Sequence, residues 1–200
     1  MSEPRFRLGF DIGGTFTDFV LLDRQSGTTH LNKCLTTPDD PSRGVMDGLT
    51  PLFEAAGVAG PDIEIAIHAT TLITNALIER KGARTALLTT RGFRDVLEMG
   101  TEVRYDIYDL FLEKPTLLVP RALRLEVTER LDTNGTVLTP LDEDALRTVA
   151  QTLRAEKVEA LAIAFLHSFR NPVHEQRAAA ILREELPGIS ICLSSAVAPE

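Results

Sequence analysis

Hydrophobic and polar residues alternate with a period of two near the start of the chain, which is typical of strands with one buried face. The alternation covers residues 6–12, and a second, strongly apolar run covers residues 16–22. Gly13-Gly14 lies between the two runs and can adopt the positive φ angles of tight turns. The pattern therefore predicts a β-hairpin, followed by a third antiparallel strand over residues 28–36.

Further along the chain, apolar residues at helical spacing alternate with short apolar strands. The predicted elements are a helix over 41–56, a strand over 63–67, a helix over 72–80, a strand over 83–90 and a short helix from residue 91. These elements predict an α/β protein whose mixed sheet begins with an antiparallel hairpin.

The same pattern divides the chain into three segments. Residues 1–100 form the unit that contains the hairpin, and residues 101–140 are an irregular excursion followed by a hairpin with an Asn-Gly turn. Residues 141–200 are an additional helix-strand-helix-strand unit. Its strand over 158–166 is predicted to be buried on both faces, and His174 on the next helix is predicted to be exposed.

Composition and charge narrow the classes of function. A hydrophobic fraction of 44% with 25% charged residues is ordinary for a globular protein. The formal net charge of −8 argues against nucleic acid or an anionic membrane as a partner. Cys34 and Cys192 form no pair with metal-ligand spacing.

The sequence shows no targeting or membrane-spanning run, and we expect a cytoplasmic enzyme. Dinucleotide, P-loop and serine-hydrolase motifs are also absent from the sequence.

The chemistry of the first turn suits a phosphate. Without Cβ atoms at Gly13 and Gly14, a polyphosphate can approach the backbone and accept hydrogen bonds from consecutive N–H groups. Thr15 and Thr17 are two residues apart, so their hydroxyls are expected on one face of a strand. Asp11 would repel phosphate by itself but could hold a hydrated Mg²⁺ beside it. The alternative is a Gly-Gly hairpin with surface Thr and Asp side chains and no ligand.

A second candidate stretch joins the strand over 63–67 to the following helix. His68, Thr70 and Thr71 lie where a strand end runs into a threonine-capped helix, an arrangement that favours anions. The alternative is that the threonines only cap the helix and that His68 is a structural residue.

Four blocks of the sequence carry a resemblance to one family. DIGGTFTD (11–18) resembles the first phosphate motif of the actin, sugar-kinase and Hsp70 ATPases, and its last three residues are similar to the hydantoinase A and 5-oxoprolinase family. That family also includes acetone and acetophenone carboxylase subunits. Residues 68–76 are similar to its His-Gly-Thr-Thr…Asn-Ala block, with Ala69 where the family usually has glycine. The remaining blocks are 83–98 and 165–172 with 194–200.

The resemblance implies an actin-like (ribonuclease H-like) N-terminal lobe of an ATPase, followed by a further α/β unit. It implies an ATP- and Mg²⁺-dependent hydrolase that opens a cyclic amide, such as a hydantoin, an N-methylhydantoin or 5-oxoproline, after phosphorylating the carbonyl oxygen. Asp11 would be the catalytic, metal-organising residue. The implied phosphate-binding residues are Gly13, Gly14, Thr15, Thr17 and the bracing Asp18, and the implied substrate-side residues are His68, Thr70, Thr71 and Asn75.

Two alternatives remain at this point. One is a subunit of an ATP-dependent ketone carboxylase, and the other is a non-catalytic assembly domain. The resemblance further implies a hydantoinase B-type partner subunit in a hetero-oligomer. Family chains are several times longer than 200 residues. We therefore expect this chain to be a fragment that is inactive without the rest of the enzyme.

Overall fold

The computed structural model describes residues 5–101, 108–111, 113 and 115–199. No helix in these ranges combines the length and the apolar character that crossing a membrane requires. The chain divides into two units, Met1–Gly82 and Ala83–Glu200, each with its own core.

The first unit is built on the predicted hairpin. β1 (Phe6–Ile12) pairs antiparallel with β2 (Phe16–Asp23), and β3 (Thr29–Leu35) continues the antiparallel arrangement beyond β2. β4 (Ile63–Thr70) adds to the other side of β1 in parallel. The strand order is therefore β3-β2-β1-β4, which confirms a mixed sheet that starts with an antiparallel hairpin.

One face of this sheet is covered by α1 (Pro41–Ala56). The Asp40 side chain accepts a hydrogen bond from the Ser42 N–H at the start of the helix, and Gly57 ends it with a φ of 64°. The core between helix and sheet consists of Leu8, Ile12, Phe19, Leu21, Val45, Leu52 and Val58. After a 3₁₀ turn at Gly60–Asp62 and β4, α2 (Leu72–Glu79) completes the unit.

The second unit contains a parallel sheet with helices. Its elements are β5 (Thr85–Thr90), α3 (Val96–Met99), a 3₁₀ turn (Arg121–Leu123), β6 (Arg124–Val127), β7 (Arg130–Leu131), β8 (Val137–Thr139), α4 (Glu143–Ala155), β9 (Ala160–Ala164), α5 (Val173–Glu185), β10 (Ser190–Leu193) and α6 (Ser194–Val197). The sheet has the order β10-β9-β5-β6 with every neighbour parallel. β7 and β8 form the predicted hairpin at the Asn-Gly turn.

The core of the second unit lies on one face of its sheet. Ala86 and Leu88 of β5 and Leu161 and Ile163 of β9 pack there with apolar residues of α4 and α5. On the other face of β9, the alanines are half-buried and help to line a cavity of about 620 Å³. The prediction that this strand is buried on both faces is therefore wrong for the alanine face.

The observed division of the chain differs from the predicted segments. β5 and α3, which were expected within residues 1–100, belong to the second unit. β5 pairs with β6 and β9, so residues 141–200 share one sheet with earlier strands and do not form a separate unit. The strand pattern at 83–90 is compatible with either sheet, and the choice depends on a partner strand about 75 residues later.

Candidate functional site

Residues Gly13–Thr15, the glycine loop, connect β1 to β2. Neither of its glycines has a φ in the left-handed region. The Gly13 N–H donates to the Phe16 carbonyl at 2.9 Å, and a Cβ on Gly13 would lie 2.9 Å from that same oxygen. Glycine is required here for space, so the prediction that the turn depends on positive φ angles is wrong.

Thr36, directly after β3, is hydrogen-bonded to the inner side of the glycine loop. Its N–H donates to the Thr15 carbonyl, and its hydroxyl donates to the Gly13 carbonyl, both at 2.9 Å. The Thr17 hydroxyl lies 3.0 Å from the Thr36 hydroxyl oxygen, and both side chains are buried. The prediction that Thr15 and Thr17 present their hydroxyls on one face is therefore wrong, because Thr15 lies in the exposed loop and Thr17 points into the core.

The outer side of the glycine loop carries unused donors. The N–H groups of Gly14 and Thr15 donate no hydrogen bond to any residue in the described ranges, and both residues are exposed. Two consecutive amides without an acceptor in an exposed loop are the elements of a backbone anion site. The loop can therefore receive a phosphate oxygen without breaking an existing hydrogen bond.

A row of charged residues crosses the sheet beside the loop. Asp11 of β1 faces Asp18 of β2, and Asp18 faces Lys33 of β3, whose Nζ lies 2.9 Å from the Asp18 carboxylate. Asp11 is exposed and its carboxylate has no partner among the described residues. Since like charges directly opposite each other are destabilising, a cation beside Asp11 would relieve the repulsion from Asp18. The bracing of the loop that was expected from Asp18 comes instead from Thr36.

A magnesium ion fits this arrangement. The described part of the chain contains no group of three or more His, Cys, Asp or Glu side chains that could hold a metal. A cation at Asp11 would take its remaining ligands from water and phosphate oxygens, which is the way Mg²⁺ is commonly bound. The sheet face that carries Asp11 lines a cavity of about 730 Å³.

The end of β4 and the start of α2 also reach the glycine loop. The Thr71 N–H donates to the Ile12 carbonyl at 3.2 Å, and the Thr70 hydroxyl lies 3.3 Å from the same oxygen. A Cβ on Gly14 would lie 2.9 Å from the Asn75 side-chain nitrogen. The structure thus brings Thr70 and Thr71 to Ile12, the residue before the loop, and brings Asn75 to Gly14 within it.

The α2 cap differs slightly from the predicted one. The side chain of Thr71, the N-cap residue, makes no capping hydrogen bond. The Thr70 hydroxyl instead accepts one from the Leu72 N–H at 3.2 Å. Thr70 therefore links the start of α2 to β1.

His68 is not brought to the glycine loop. It pairs with Phe10 across β1 and β4, and the two rings stack with centroids 4.8 Å apart. Ala69 is the residue that pairs with Asp11. Because neighbouring side chains of a strand point to opposite faces, His68 lies on the face opposite Asp11.

Two polar arrangements in the structure were not predicted from the sequence. The first is Thr36, for which the only signal was its place at the end of a predicted strand. The second is a buried cluster in the second unit, where Glu129 accepts a hydrogen bond from the Thr90 hydroxyl and its carboxylate lies 2.7 Å from His174 Nδ1. His174 is 6% exposed, so its predicted exposure is wrong. Partners distant in sequence determine both arrangements.

Comparison with known proteins gives these residues a family context. The model of the hydantoinase/oxoprolinase N-terminal region matches residues 7–186. The alpha subunit of caprolactamase from Pseudomonas jessenii is 39% identical over 100% of this chain. The gamma subunit of acetophenone carboxylase from Aromatoleum aromaticum is 38% identical over 89% of it.

Solved structures agree with these matches. The nucleotide-free structure of an acetone carboxylase that acts with ATP covers 98% of this chain at 30% identity, with a TM-score of 0.88. The crystal structure of the ATP-dependent caprolactamase from Pseudomonas jessenii covers 97% at 40% identity, with a TM-score of 0.82. The chain spans 26% to 30% of the length of these relatives. It belongs to the hydantoinase/oxoprolinase family, whose N-terminal region it matches.

Proposed function

We propose that the glycine loop binds the phosphates of ATP in an enzyme that hydrolyses a cyclic amide. The observation that carries this proposal is the pair of unpaired N–H groups on Gly14 and Thr15 beside the unpaired carboxylate of Asp11. The 39% identity with a caprolactamase subunit and the 40% identity with the crystal structure of an ATP-dependent caprolactamase support a lactam or related cyclic amide as the substrate.

The chemistry explains why ATP is needed. Amide carbonyls react poorly with water, so the carbonyl oxygen first attacks the γ-phosphorus and ADP leaves. Water then adds to the activated carbon and the ring C–N bond breaks, which leaves an acyl phosphate. A second water attacks the same carbon, phosphate departs with the former carbonyl oxygen, and a carboxylate forms. Backbone donors at Gly14 and Thr15 and a magnesium ion at Asp11 would neutralise the charge on the phosphates. Gly13 supplies the space for this loop.

We further propose that the first unit is the N-terminal lobe of an actin-like ATPase. The order β3-β2-β1-β4, with β4 parallel to β1, and the glycine loop at the hairpin turn support this proposal. Thr70, Thr71 and Asn75 would lie near the transferred group. Because the matched relatives are named as subunits, we also propose that the enzyme is a hetero-oligomer, with a hydantoinase B-type partner.

A ketone carboxylase is the second candidate. The TM-score of 0.88 with acetone carboxylase and the 38% identity with an acetophenone carboxylase subunit favour it. In that enzyme the same loop would bind ATP, and the phosphorylated acceptor would be an enolate or bicarbonate oxygen. The two candidates therefore differ in the acceptor and share the phosphate site.

The test measures ADP release by the enzyme to which this region belongs. Release that depends on caprolactam, 5-oxoproline or a hydantoin supports the amidase, whereas release that needs a ketone and bicarbonate supports the carboxylase. Asp11→Asn is expected to lower turnover by about a hundredfold or more, because the metal loses its protein ligand. Asp47→Asn, which removes an exposed carboxylate on α1, serves as the control. Normal turnover in Asp11→Asn would refute the proposed site.

A further inference from the structure

We infer that Thr36 is the positioning residue of the glycine loop, and that its hydroxyl fixes the Gly13–Gly14 peptide so that the Gly14 N–H faces the bound phosphate. The inference rests on the proposed function, because it concerns the same anion site. Thr36 itself does not contact the phosphate.

The geometry of the peptide bond links the buried hydroxyl to the exposed donor. The structure contains no cis peptide bond in its described residues, and in a trans peptide the carbonyl and the following N–H point in opposite directions. The Gly13 carbonyl is held at 2.9 Å by the Thr36 hydroxyl on the inner side of the loop. The N–H of Gly14, in the same peptide, must therefore point outward.

A peptide between two glycines needs such a restraint. Neither residue has a Cβ that would oppose rotation of the peptide plane, so both orientations are sterically accessible. In the flipped orientation the Gly13 carbonyl would face the phosphate and repel it. One hydrogen bond from a fixed side chain is enough to favour the orientation that binds an anion.

Thr17 in turn fixes the Thr36 hydroxyl. Because the Thr36 proton is donated to Gly13, Thr17 must be the donor in the 3.0 Å contact between the two hydroxyls. Thr17 is 0% exposed and Thr36 is 9% exposed, so water does not readily replace either partner. The two buried hydroxyls form a relay, since Thr17 fixes Thr36 and Thr36 fixes the loop. This explains why position 17 carries a threonine although its side chain cannot reach the ligand.

The test is a titration of the ¹⁵N-labelled 200-residue chain with pyrophosphate and Mg²⁺, followed at the amide resonances of Gly14 and Thr15. Thr36→Val keeps the shape of the side chain and removes the hydroxyl. We expect it to weaken pyrophosphate binding about five- to tenfold and to shift the Gly14 resonance before ligand is added. Thr36→Ser retains the donor and is expected to restore both.

Thr37→Val is the matched control. The Thr37 hydroxyl donates to the Asp40 carbonyl and accepts from the Gly44 N–H, both at the start of α1. Its loss should lower the melting temperature without changing pyrophosphate affinity. If Thr36→Val fails to fold, Thr17→Val tests the same relay, and unchanged affinity in that variant would overturn the inference.

The outcomes separate the inference from the proposed function. If the wild-type Gly14 and Thr15 resonances do not respond to pyrophosphate, the proposed phosphate site fails and the role of Thr36 fails with it. If the wild type responds and Thr36→Val binds with equal affinity, the role of Thr36 alone is refuted.

Discussion

The aspartates of the N-terminal hairpin show how the same residue type acquires different roles from its neighbours. Asp11 has no partner among the described residues, Asp18 is paired with Lys33, and Asp23 is buried against Arg5. The partners come from β3 and from the residue before β1, so the spacing of the aspartates does not reveal them. The unpaired carboxylate beside the loop is the one available to a cation.

The Arg5–Asp23 pair predicts a specific pH dependence of stability. The Arg5 guanidinium, with smaller contributions from Ser26 and backbone N–H groups, holds the pKa of Asp23 well below its usual range. A carboxylate with a lowered folded-state pKa stabilises the fold fully above its unfolded pKa of about 3.9, and this stabilisation is lost as the pH falls below that value. Asp23→Asn should therefore melt at a lower temperature at pH 7 and lose less stability in acid.

Thermal unfolding between pH 7 and pH 2.5 measures this effect. Asp39→Asn is the control, because Asp39 forms an exposed pair with Arg43 that is expected to contribute little. Equal melting temperatures for Asp23→Asn and the wild type at pH 7 would contradict the prediction.

At the scale of elements, the local hydrophobic pattern predicts the type and order of helices and strands better than it predicts which strands pair. Period-two alternation and the glycine dipeptide were sufficient for the hairpin, and helical spacing located α1 and α2. The assignment of β5 to the first unit failed because its partners, β6 and β9, lie far along the chain. The prediction of positive φ angles at Gly13-Gly14 was wrong because the constraint there is steric. Phe16 and Asn75 leave no room for a Cβ, and the sequence does not show this crowding.

The packing of α1 on the first sheet predicts a cost for a single methyl group. A Cβ on Gly48 would lie 2.3 Å from the Phe19 ring, and Phe19 is 3% exposed. The ring cannot move outward without losing its place in the core, so Gly48→Ala should destabilise the chain by about 1–3 kcal/mol. Chemical denaturation provides the measurement. Gly60→Ala, where a Cβ meets open space, is the control, and an equal effect of both substitutions would contradict this account of the packing.

At the scale of the whole molecule, the sequence supported the family and most of the candidate site. The Asp11–Asp18 motif and the 68–76 block located the loop and Asn75 of α2, which lies beside it. Thr36 could not be found in this way, because its role depends on the position of β3 beside β2. The face of His68 depends in the same way on the register of β4 against β1. Motifs thus located the backbone that is proposed to bind phosphate, whereas the residues that support it required the fold.

The exposure of the glycine loop leads to a prediction for the 200-residue chain as a whole. Asp11, Gly14 and Thr15 are all exposed, so water can reach every group that would contact the phosphates. Phosphoryl transfer to a carbonyl oxygen requires a closed site, because the charge on the transferred group is poorly stabilised in open solvent. We therefore expect this chain to bind pyrophosphate without releasing ADP from ATP.

The measurement is ADP release by the purified chain with Mg²⁺ and caprolactam, beside a titration that shows binding to the same sample. Asp11→Asn separates true turnover from a contaminating ATPase, since it should abolish only activity that depends on this loop. ADP release by the wild-type chain that disappears in Asp11→Asn would show that these residues form a sufficient catalytic site. The loop would then have to be shielded from water by a rearrangement within the chain.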